Sequence, residues 1–196
     1  MIQTGFAVAL AATMMSSGLP DGMLFMESHP PAKEWESYEV IDSKSLPLQL
    51  NPCFFRHRRD AGRLENRAVH YSGEAEVKYE QLVVYKDVRH AERAMRLLRA
   101  DLRKCADVGK GIHRSRYFSK PLDVGDDGLR AGGRFYEGGE QAVAVRRGAA
   151  VYIVGETAWP SKSLPLNRFR GLIDQAERMT VKVCDLPEAS CQPGDL

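Results

Sequence analysis

The sequence predicts a single α+β domain in which an antiparallel sheet packs against about three helices. Two long segments place apolar residues three and four positions apart, which is the period of a helix with one buried face. Several shorter segments alternate polar and apolar residues or are apolar throughout, and compact turns containing glycine separate them, as in a meander of strands. The length of 196 residues agrees with one domain of ordinary size.

The longest apolar stretch, Gly5 to Met15, lies at the N-terminus. A secretory signal has basic residues ahead of such a stretch, but the first Lys or Arg of the chain is Lys33. We therefore favour a short core helix over Phe6 to Met15, with a remnant of a signal segment as the alternative. On this basis residues 1–18 are set apart, and residues 19–196 form the main domain.

Three strands are predicted ahead of the first long helix. Residues 19–52 contain five prolines and are predicted to be irregular, apart from a short strand at Trp35 to Ile41. Phe54 to Arg67 is rich in charged residues and is predicted to be exposed. Ala68 to Ser72 and Glu76 to Tyr85 are predicted strands, and the apolar second half of the latter indicates burial on both sides.

The first long helix is predicted from Asp87 to about Lys104. The Asp87 carboxylate can accept hydrogen bonds from the free N–H groups at the start of the helix. The apolar residues repeat at intervals of three and four and form one face, which consists of Ala91, Ala94, Met95, Leu98, Leu102 and Cys105. Because Cys105 belongs to this face, we expect it to contact a neighbouring segment.

Four strands and a last helix are predicted after it. The strands are His113 to Ser119, Gly128 to Tyr136, Gln141 to Arg146 and Ala149 to Gly155, with hairpin turns at Gly138-Gly139 and Arg147-Gly148. Ser163 is predicted to cap the last helix, with Pro165 in the first turn, where a missing N–H is harmless. The apolar face of this helix consists of Leu166, Phe169, Leu172, Ile173, Ala176 and Met179.

The four cysteines favour two disulfides over a metal site. Cys53, Cys105, Cys184 and Cys191 are not spaced like zinc ligands, and the five histidines add no ligand spacing. Cys184 and Cys191 flank a short turn that contains proline and suit a terminal disulfide, which leaves Cys53 with Cys105. An even count with one short terminal pair suits an oxidising compartment, and four buried, reduced cysteines in a cytosolic protein are the alternative.

Composition and motifs argue against several classes of function. The net charge of +2 is too even to indicate nucleic-acid binding, and no apolar run reaches the roughly 20 residues of a membrane span. The motifs of serine hydrolases, zinc proteases and phosphate-binding loops are absent from the sequence. Asp123, Asp126 and Asp127 resemble a calcium loop, but Arg134 stands where its last carboxylate is required. We therefore expect no enzyme, no catalytic residue, no metal and no cofactor, with a hydrolase or transferase of unrecognised site as the alternative.

Two weak candidates for ligand binding remain. Arg56, Arg58 and Arg59 form the densest positive patch of the chain. Guanidinium groups match planar oxyanions such as phosphate or a sugar acid, although a solvated loop that balances local acids is the simpler interpretation. Trp159, next to Pro160, is the second candidate, as the wall of a pocket or, more simply, as a cover of the core.

Several segments together resemble a known family. Asn51-Pro52-Cys53, the strand ending in Val83-Val84-Tyr85 and the helix from Ala91 to Cys105 are similar to the PknH-type extracellular sensor domain. This domain occurs on actinobacterial serine/threonine kinases and on related secreted or lipid-anchored envelope proteins. The strand at Gly128-Leu129-Arg130, the hairpin of Ala142 to Gly155 and the C-terminal helix followed by a cysteine continue the resemblance.

The resemblance spans roughly residues 15–195 and implies several structural features. These are a curved antiparallel sheet with helices, a cleft thought to take a ligand, and two disulfides. Carried over to this chain, the disulfides are Cys53–Cys105 and Cys184–Cys191, the pairing that the cysteine spacing already favours.

The expected function is that of an exported, non-enzymatic, sensor-like module that binds an unknown ligand of the cell envelope. The alternative is a structural or protein-interaction component of a cell-surface assembly, because the irregular segment of residues 19–67 suits wrapping around a partner. The expected location is extracellular or in the cell envelope. The expected partner is an envelope ligand or a surface protein, without nucleic acid and without an integral membrane span.

Overall fold

Eight strands and two α-helices carry the fold in the computed structural model, which describes residues 18–28 and 33–191. The strands are β1 (Ser37–Asp42), β2 (Arg63–Ser72), β3 (Val77–Tyr85), β4 (Asp107–Val108), β5 (Ser115–Leu122), β6 (Asp127–Arg134), β7 (Gly139–Arg147) and β8 (Ala150–Thr157), and the helices are α1 (Val88–Lys104) and α2 (Arg170–Lys182). The helix predicted over Phe6 to Met15, and with it most of the predicted segment 1–18, lies outside the described residues.

The strands form one antiparallel sheet in the order β1-β2-β3-β8-β7-β6-β5-β4. β1 to β3 follow one another along the sheet, as do β5 to β8, because short connections place chain neighbours side by side. α1 carries the chain from β3 across the sheet to β4 at the far edge. The chain then returns strand by strand until β8 pairs with β3, so two meanders meet in the middle of the sheet.

The two faces of the sheet have separate cores. Successive side chains of a strand point to opposite faces, so Val83 and Tyr85 of β3 lie in the core on the α1 side, whereas Leu82 and Val84 lie in the core on the α2 side. β3, β7 and β8 are therefore buried on both sides along most of their length. This confirms the prediction that the second half of β3 is covered on both faces.

α1 and both disulfides confirm the predictions made from the sequence. Asp87 Oδ1 accepts a hydrogen bond from the backbone N–H of His90 at 3.0 Å and caps the helix. The predicted apolar face is buried, and Cys105 at its end is bonded to Cys53. Cys184 is bonded to Cys191. No helix in the described residues combines the length and the apolar composition needed to cross a membrane.

One part of the predicted fold class is wrong, because the sheet is not strongly curved. Residues 18–28 and 33–191 contain two α-helices, and the third predicted helix, over Phe6 to Met15, lies outside these residues. Strands bend sharply at bulges, and the strand pairings of the described residues record one register shift, between Arg63 and Glu65. Because each face has its own covering layer, the sheet buries its apolar side chains without curling around one core.

α2 begins later than predicted, and Ser163 does not cap it. The Ser163 hydroxyl instead hydrogen-bonds the Ser161 hydroxyl at 2.8 Å. Leu164, which is fully buried, has a φ of 45°, and a residue in this left-handed region interrupts a right-handed helix. The chain therefore makes a short 3-10 turn at Leu166–Arg168 before α2 starts at Arg170.

β2 begins earlier than predicted, because two of the arginines expected to be exposed are buried in it. The Arg63 side chain has no exposed surface and pairs with Asp60 at 2.8 Å. Arg67 pairs with Asp42 at 2.8 Å and with Glu27 at 3.2 Å. Two of these three carboxylates come from positions far away in the sequence, so the charge density of the segment did not reveal that its charges are compensated.

Candidate functional site

The predicted arginines lie in the loop that leads into β2, beside α1. Arg59 pairs with Asp101 of α1, and Arg58 donates to the backbone carbonyl of Asp60 at 3.3 Å, whereas Arg56 is exposed. The cleft that Arg58 and Arg59 line has a volume of about 40 Å³, which is room for only a few water molecules. Two of the three arginines thus engage groups of their own chain, and an oxyanion site here stays a prediction.

Trp159 lies at the opposite end of the sheet from these arginines. The loop with these arginines leads into β2 at Arg63, which pairs with Tyr85 at the end of β3. The start of β8, at Ala150, lies beside this end of β3, so all three positions are at the same end of the sheet. Trp159 follows the other end of β8, after Thr157, roughly 23 Å further along at the ordinary rise of a strand. The two predicted elements of a ligand site are therefore not brought together. Trp159 is 57% exposed and does not cover the core.

A larger groove opens at the Trp159 end of the sheet. Its volume is about 370 Å³, within the range of roughly 300–1,000 Å³ that is typical of small-molecule sites. It is lined by Val77, Tyr79, Phe135, Glu137, Gly138, Gly139, Glu140, Glu156 and Thr157, and we call it the Glu140 groove. Ala158, the residue before Trp159, donates its N–H to the carbonyl of Gly139 at 2.9 Å and holds the chain after β8 at this end.

Two tyrosines converge on the carboxylate of Glu140. Oε1 accepts a hydrogen bond from the Tyr117 hydroxyl at 2.7 Å, and Oε2 accepts one from the Tyr79 hydroxyl at 3.0 Å. Tyr79 belongs to β3 and Tyr117 to β5, so each ring reaches Glu140 in β7 from two strands away, on opposite sides. Both oxygens of one carboxylate are thereby held by neutral donors.

Two glycines allow the tyrosine rings to cross the intervening strands. Gly155 of β8 pairs with Tyr79, and Gly133 of β6 pairs with Tyr117. A Cβ at Gly133 would lie 2.8 Å from Tyr117 Cε1, and one at Gly155 would lie 2.8 Å from Tyr79 Cε1 and closer still to the hydroxyl end of that ring. Carbon atoms in contact are normally about 3.5–4.0 Å apart, so a larger residue at either position would displace the ring.

Burial without a counter-ion determines the electrostatics of Glu140. Removal from water raises the pKa of its carboxyl, and the hydrogen bonds from Tyr117 and Tyr79 only oppose this rise. Within the described part of the chain, no Lys or Arg forms an ion pair with it. Burial and the negative charge of Glu140 raise the pKa of Tyr79 and of Tyr117. Both phenols therefore remain protonated donors at neutral pH.

His70 does not supply the missing positive charge. It pairs with Tyr79 in the register of β2 and β3, and the two ring centres lie 6.4 Å apart. Burial lowers the pKa of His70, although Glu39 on the neighbouring strand opposes this effect. Its Nε2 atom is buried and has no hydrogen-bond partner among the described residues. An imidazole whose pKa is lowered is neutral at pH 7.

We expect Glu140→Gln to raise stability at neutral pH, because the substitution removes a buried charge that has no counter-ion. The phenols can reorient to accept from the new amide group, since a hydroxyl both donates and accepts. Below a pH of about 4.3, where a free glutamate is protonated, the two proteins should be nearly equal in stability. As the pH rises from there through the raised pKa of Glu140, this carboxyl group releases its proton in the unfolded wild type before it does so in the folded protein. Ionisation of residue 140 therefore lowers the stability of the wild type but not of the variant.

Urea unfolding of both proteins, followed by circular dichroism between pH 4 and pH 8, measures this difference. A variant less stable than the wild type at pH 7 would contradict the account of an uncompensated charge.

A second groove is a weaker candidate. It has a volume of about 480 Å³ and lies between α2 and the connection from β5 to β6. Its charges are of both signs, its carboxylates are exposed, and Arg130 is already held by the carbonyls of Leu164 at 2.8 Å and Pro121 at 2.7 Å. In this groove and in the rest of the described residues, no group of three or more His, Cys, Asp or Glu is arranged to hold a metal ion.

Comparison with known proteins found similarity in structure only. No protein-family model and no curated protein matches the chain. The extracellular domain of PknH from Mycobacterium tuberculosis is similar in structure, with 12% identity, 76% of this chain and 83% of that chain covered, and a TM-score of 0.48. A putative uncharacterised protein from Mycobacterium smegmatis, the Rv0999 ortholog, is similar with 9% identity, 85% and 97% coverage and a TM-score of 0.42.

The resemblance predicted from the sequence is to the same kind of domain as the first of these structures. Both TM-scores are below 0.5, so this similarity indicates no function for the chain.

Proposed function

We propose that this chain is an exported, non-enzymatic module that binds a small ligand in the Glu140 groove. One observation carries the proposal: a largely buried carboxylate, held by two phenols, borders a groove with room for a small molecule. Burying a carboxylate without a counter-ion costs free energy. Groups with pKa values perturbed in this way cluster at functional sites in clefts.

The two disulfides support the exported part of the proposal. Cys53–Cys105 and Cys184–Cys191 use all four cysteines of the chain. Disulfides persist in secreted and envelope proteins, whereas cytosolic thiols are kept reduced. The same argument favours a location outside the cell or in the cell envelope over a cytosolic one.

The polar groups of the groove support binding rather than catalysis. The Thr157 hydroxyl accepts from the backbone N–H of Val77 at 2.8 Å, and Tyr79 donates to Glu140. With their raised pKa values, Tyr79 and Tyr117 do not release protons near neutral pH. A few polar groups fixed in place within a largely apolar groove are typical of sites that orient a ligand.

A protein-interaction component of a cell-surface assembly is the second candidate. Tyr136 and Trp159 are 65% and 57% exposed, and both follow strand ends near Gly138 and Gly139, at the groove. Exposed aromatic residues are enriched where proteins bind one another. A partner that remains bound through purification from native extracts would favour this candidate.

The proposed function is tested by native mass spectrometry of the chain with envelope lipids, glycans and peptidoglycan fragments. We expect at least one of these classes to bind at a stoichiometry of one. Absence of binding across all three classes, together with a partner protein in native extracts, would replace the proposal by the second candidate.

Gly155→Ala is expected to weaken binding of the ligand found in this way by about tenfold, because Tyr79 lines the groove and its displaced ring would no longer fit the bound ligand. The new methyl group would push the Tyr79 ring off β8 and away from Glu140. Overpacking at this position should also lower the free energy of unfolding by about 1–3 kcal/mol.

Gly171→Ala is the matched control, because Gly171 is exposed in α2 and a Cβ there meets no atom within 4 Å. This variant should bind as the wild type does. Undiminished binding by a folded Gly155→Ala variant would exclude the Tyr79–Glu140 contact from the site.

A further inference from the structure

Two largely buried glutamates, Glu80 and Glu140, have no ion-pair partner among the described residues. Other buried charges are paired in the usual way, as Arg63 is with Asp60 at 2.8 Å and Arg146 with Asp126 at 2.8 Å. Charged side chains are almost never fully buried unless they are paired. Each of the two glutamates therefore needs another explanation.

Glu80 shows how the protein itself completes such a carboxylate. Oε1 accepts from the Phe25 N–H at 3.1 Å and from the Tyr152 hydroxyl at 2.6 Å, and Oε2 accepts from the Met26 N–H at 2.7 Å. The backbone donors come from the short 3-10 helix Phe25–Ser28, which lies over this face of the sheet. Glu80 has no exposed surface, so its own chain both satisfies and seals it.

Glu140 has the phenols but no backbone donors. A carboxylate offers about four acceptor positions, and the described residues fill two of them, through Tyr79 and Tyr117. At Glu80 the backbone N–H donors come from the 3-10 helix Phe25–Ser28, which lies against the carboxylate. No such segment lies against Glu140 in the described residues, and the groove is found there instead. The molecule that fills the groove is therefore placed to supply the remaining N–H donors.

The charged residues that line the groove indicate the sign of the charge on that molecule. The charged residues that line the groove are Glu137, Glu140 and Glu156, and none of the lining residues is Lys, Arg or His. Glu156 is next to Thr157, which pairs with Glu140, so the Glu156 side chain points to the other face of the sheet, where Gln141 donates to it at 2.6 Å. The negative charge of the groove therefore comes from Glu137 and Glu140. A cleft lined by one sign of charge concentrates ligands of the opposite sign.

The walls of the groove indicate the rest of the molecule. Val77 and Phe135 line it with apolar surface, and Tyr79 adds an aromatic ring. Apolar surface favours a hydrocarbon body, and aromatic faces attract cations.

Resting on the proposed function, we propose that the ligand of the Glu140 groove carries an organic cation, an ammonium or a guanidinium, on an apolar body. The cation donates N–H bonds to the open positions of Glu140 and supplies the missing counter-charge, as backbone N–H groups complete Glu80. The apolar body lies against Val77 and Phe135. A neutral alcohol of the same shape can donate a hydrogen bond but brings no charge, and an anion is repelled.

Three probes of similar size test this inference on the full chain: benzylamine, benzyl alcohol and benzoate. Each is titrated at pH 7 while ¹H–¹⁵N spectra follow the backbone amides of Val77, Gly138 and Glu140. We expect saturable shifts with benzylamine, about tenfold weaker binding of benzyl alcohol and no binding of benzoate, since charge-assisted hydrogen bonds are roughly twice as strong as neutral ones.

Glu140→Gln should abolish the preference for benzylamine over benzyl alcohol. Glu74→Gln is the matched control, because Glu74 is an exposed carboxylate in the turn between β2 and β3 and its loss changes the net charge equally. The preference should persist in this control. The ¹H–¹⁵N spectrum of each variant reports whether it is folded, and the probe series on the wild type decides the question without any variant.

The outcomes separate this inference from the proposed function. Equal binding of benzylamine and benzyl alcohol in the groove, or a preference that survives Glu140→Gln, overturns the cation and leaves the ligand groove standing. If no probe shifts the groove amides, the inference is wrong. If the ligands found by mass spectrometry also shift only amides elsewhere, the proposed function of the groove is wrong with it.

Discussion

Replacing Cys53 and Cys105 by serine together is expected to lower the free energy of unfolding by about 4 kcal/mol, the loop-closure value for this sequence separation. The disulfide links positions 52 residues apart. It ties the loop ahead of β2 to the C-terminal end of α1, so the unfolded chain gains much freedom when it is removed. Urea unfolding of the oxidised proteins, followed by circular dichroism, measures the change.

The control is the double replacement of Cys184 and Cys191 by serine. Their disulfide closes a loop of 7 residues, so its loss should lower the free energy of unfolding by about 2.5 kcal/mol in the same treatment. A larger cost for the short loop than for the long one would contradict the loop-closure explanation. Mass spectrometry of non-reduced digests of the native protein complements the experiment. Free thiols there would remove the support that the disulfides give to export.

Asp60→Ala is expected to destabilise the protein by about 3–5 kcal/mol, because it leaves a buried guanidinium without its partner. Arg63 donates to both Asp60 oxygens at 2.8 Å, from Nε and from Nη2, and the Tyr85 hydroxyl donates to the same carboxylate. The Arg63 side chain has no exposed surface. Burial and the Asp60 charge raise the pKa of Tyr85, which therefore remains a protonated donor.

Asp107→Ala removes a comparable pair, with Arg114, in which both side chains are about half exposed. Since exposed pairs contribute little to stability, this control should unfold at nearly the wild-type urea concentration. In an Asp60→Ala variant, the further change Arg63→Met should recover part of the loss, because it removes the unpaired charge. A loss at Asp60 no larger than that at Asp107 would contradict the structural account of the buried pair.

The candidate site was largely hidden from the sequence. Arg56, Arg58 and Arg59 stand out in the sequence because charge density is a local property that can be read directly. The sequence does not show that Asp101, more than 40 positions later, pairs with Arg59. An arginine-rich segment therefore looked like a site when two of its three arginines engage groups of their own chain.

The contact of Glu140 with Tyr79 and Tyr117 had only one sequence signal, and it was weak. Gly133 and Gly155 stand inside predicted strands, where glycine often marks the close approach of another group. Nothing in the sequence states which group approaches. Tyr79 and Tyr117 reach Glu140 across glycines that belong to two further strands, so the arrangement depends on the order of five strands in one sheet.

The sequence by itself determined the buried face of α1, the central strands and the pairing of the cysteines. These features follow from periodicities of two and 3.6 residues and from short spacings, which act within one element or one turn. The tertiary structure alone decided the start of β2, the start of α2 and the place of the groove. Each of these depends on whether a charge, a hydroxyl or a ring finds a partner, and those partners come together only when strands distant in the sequence lie side by side.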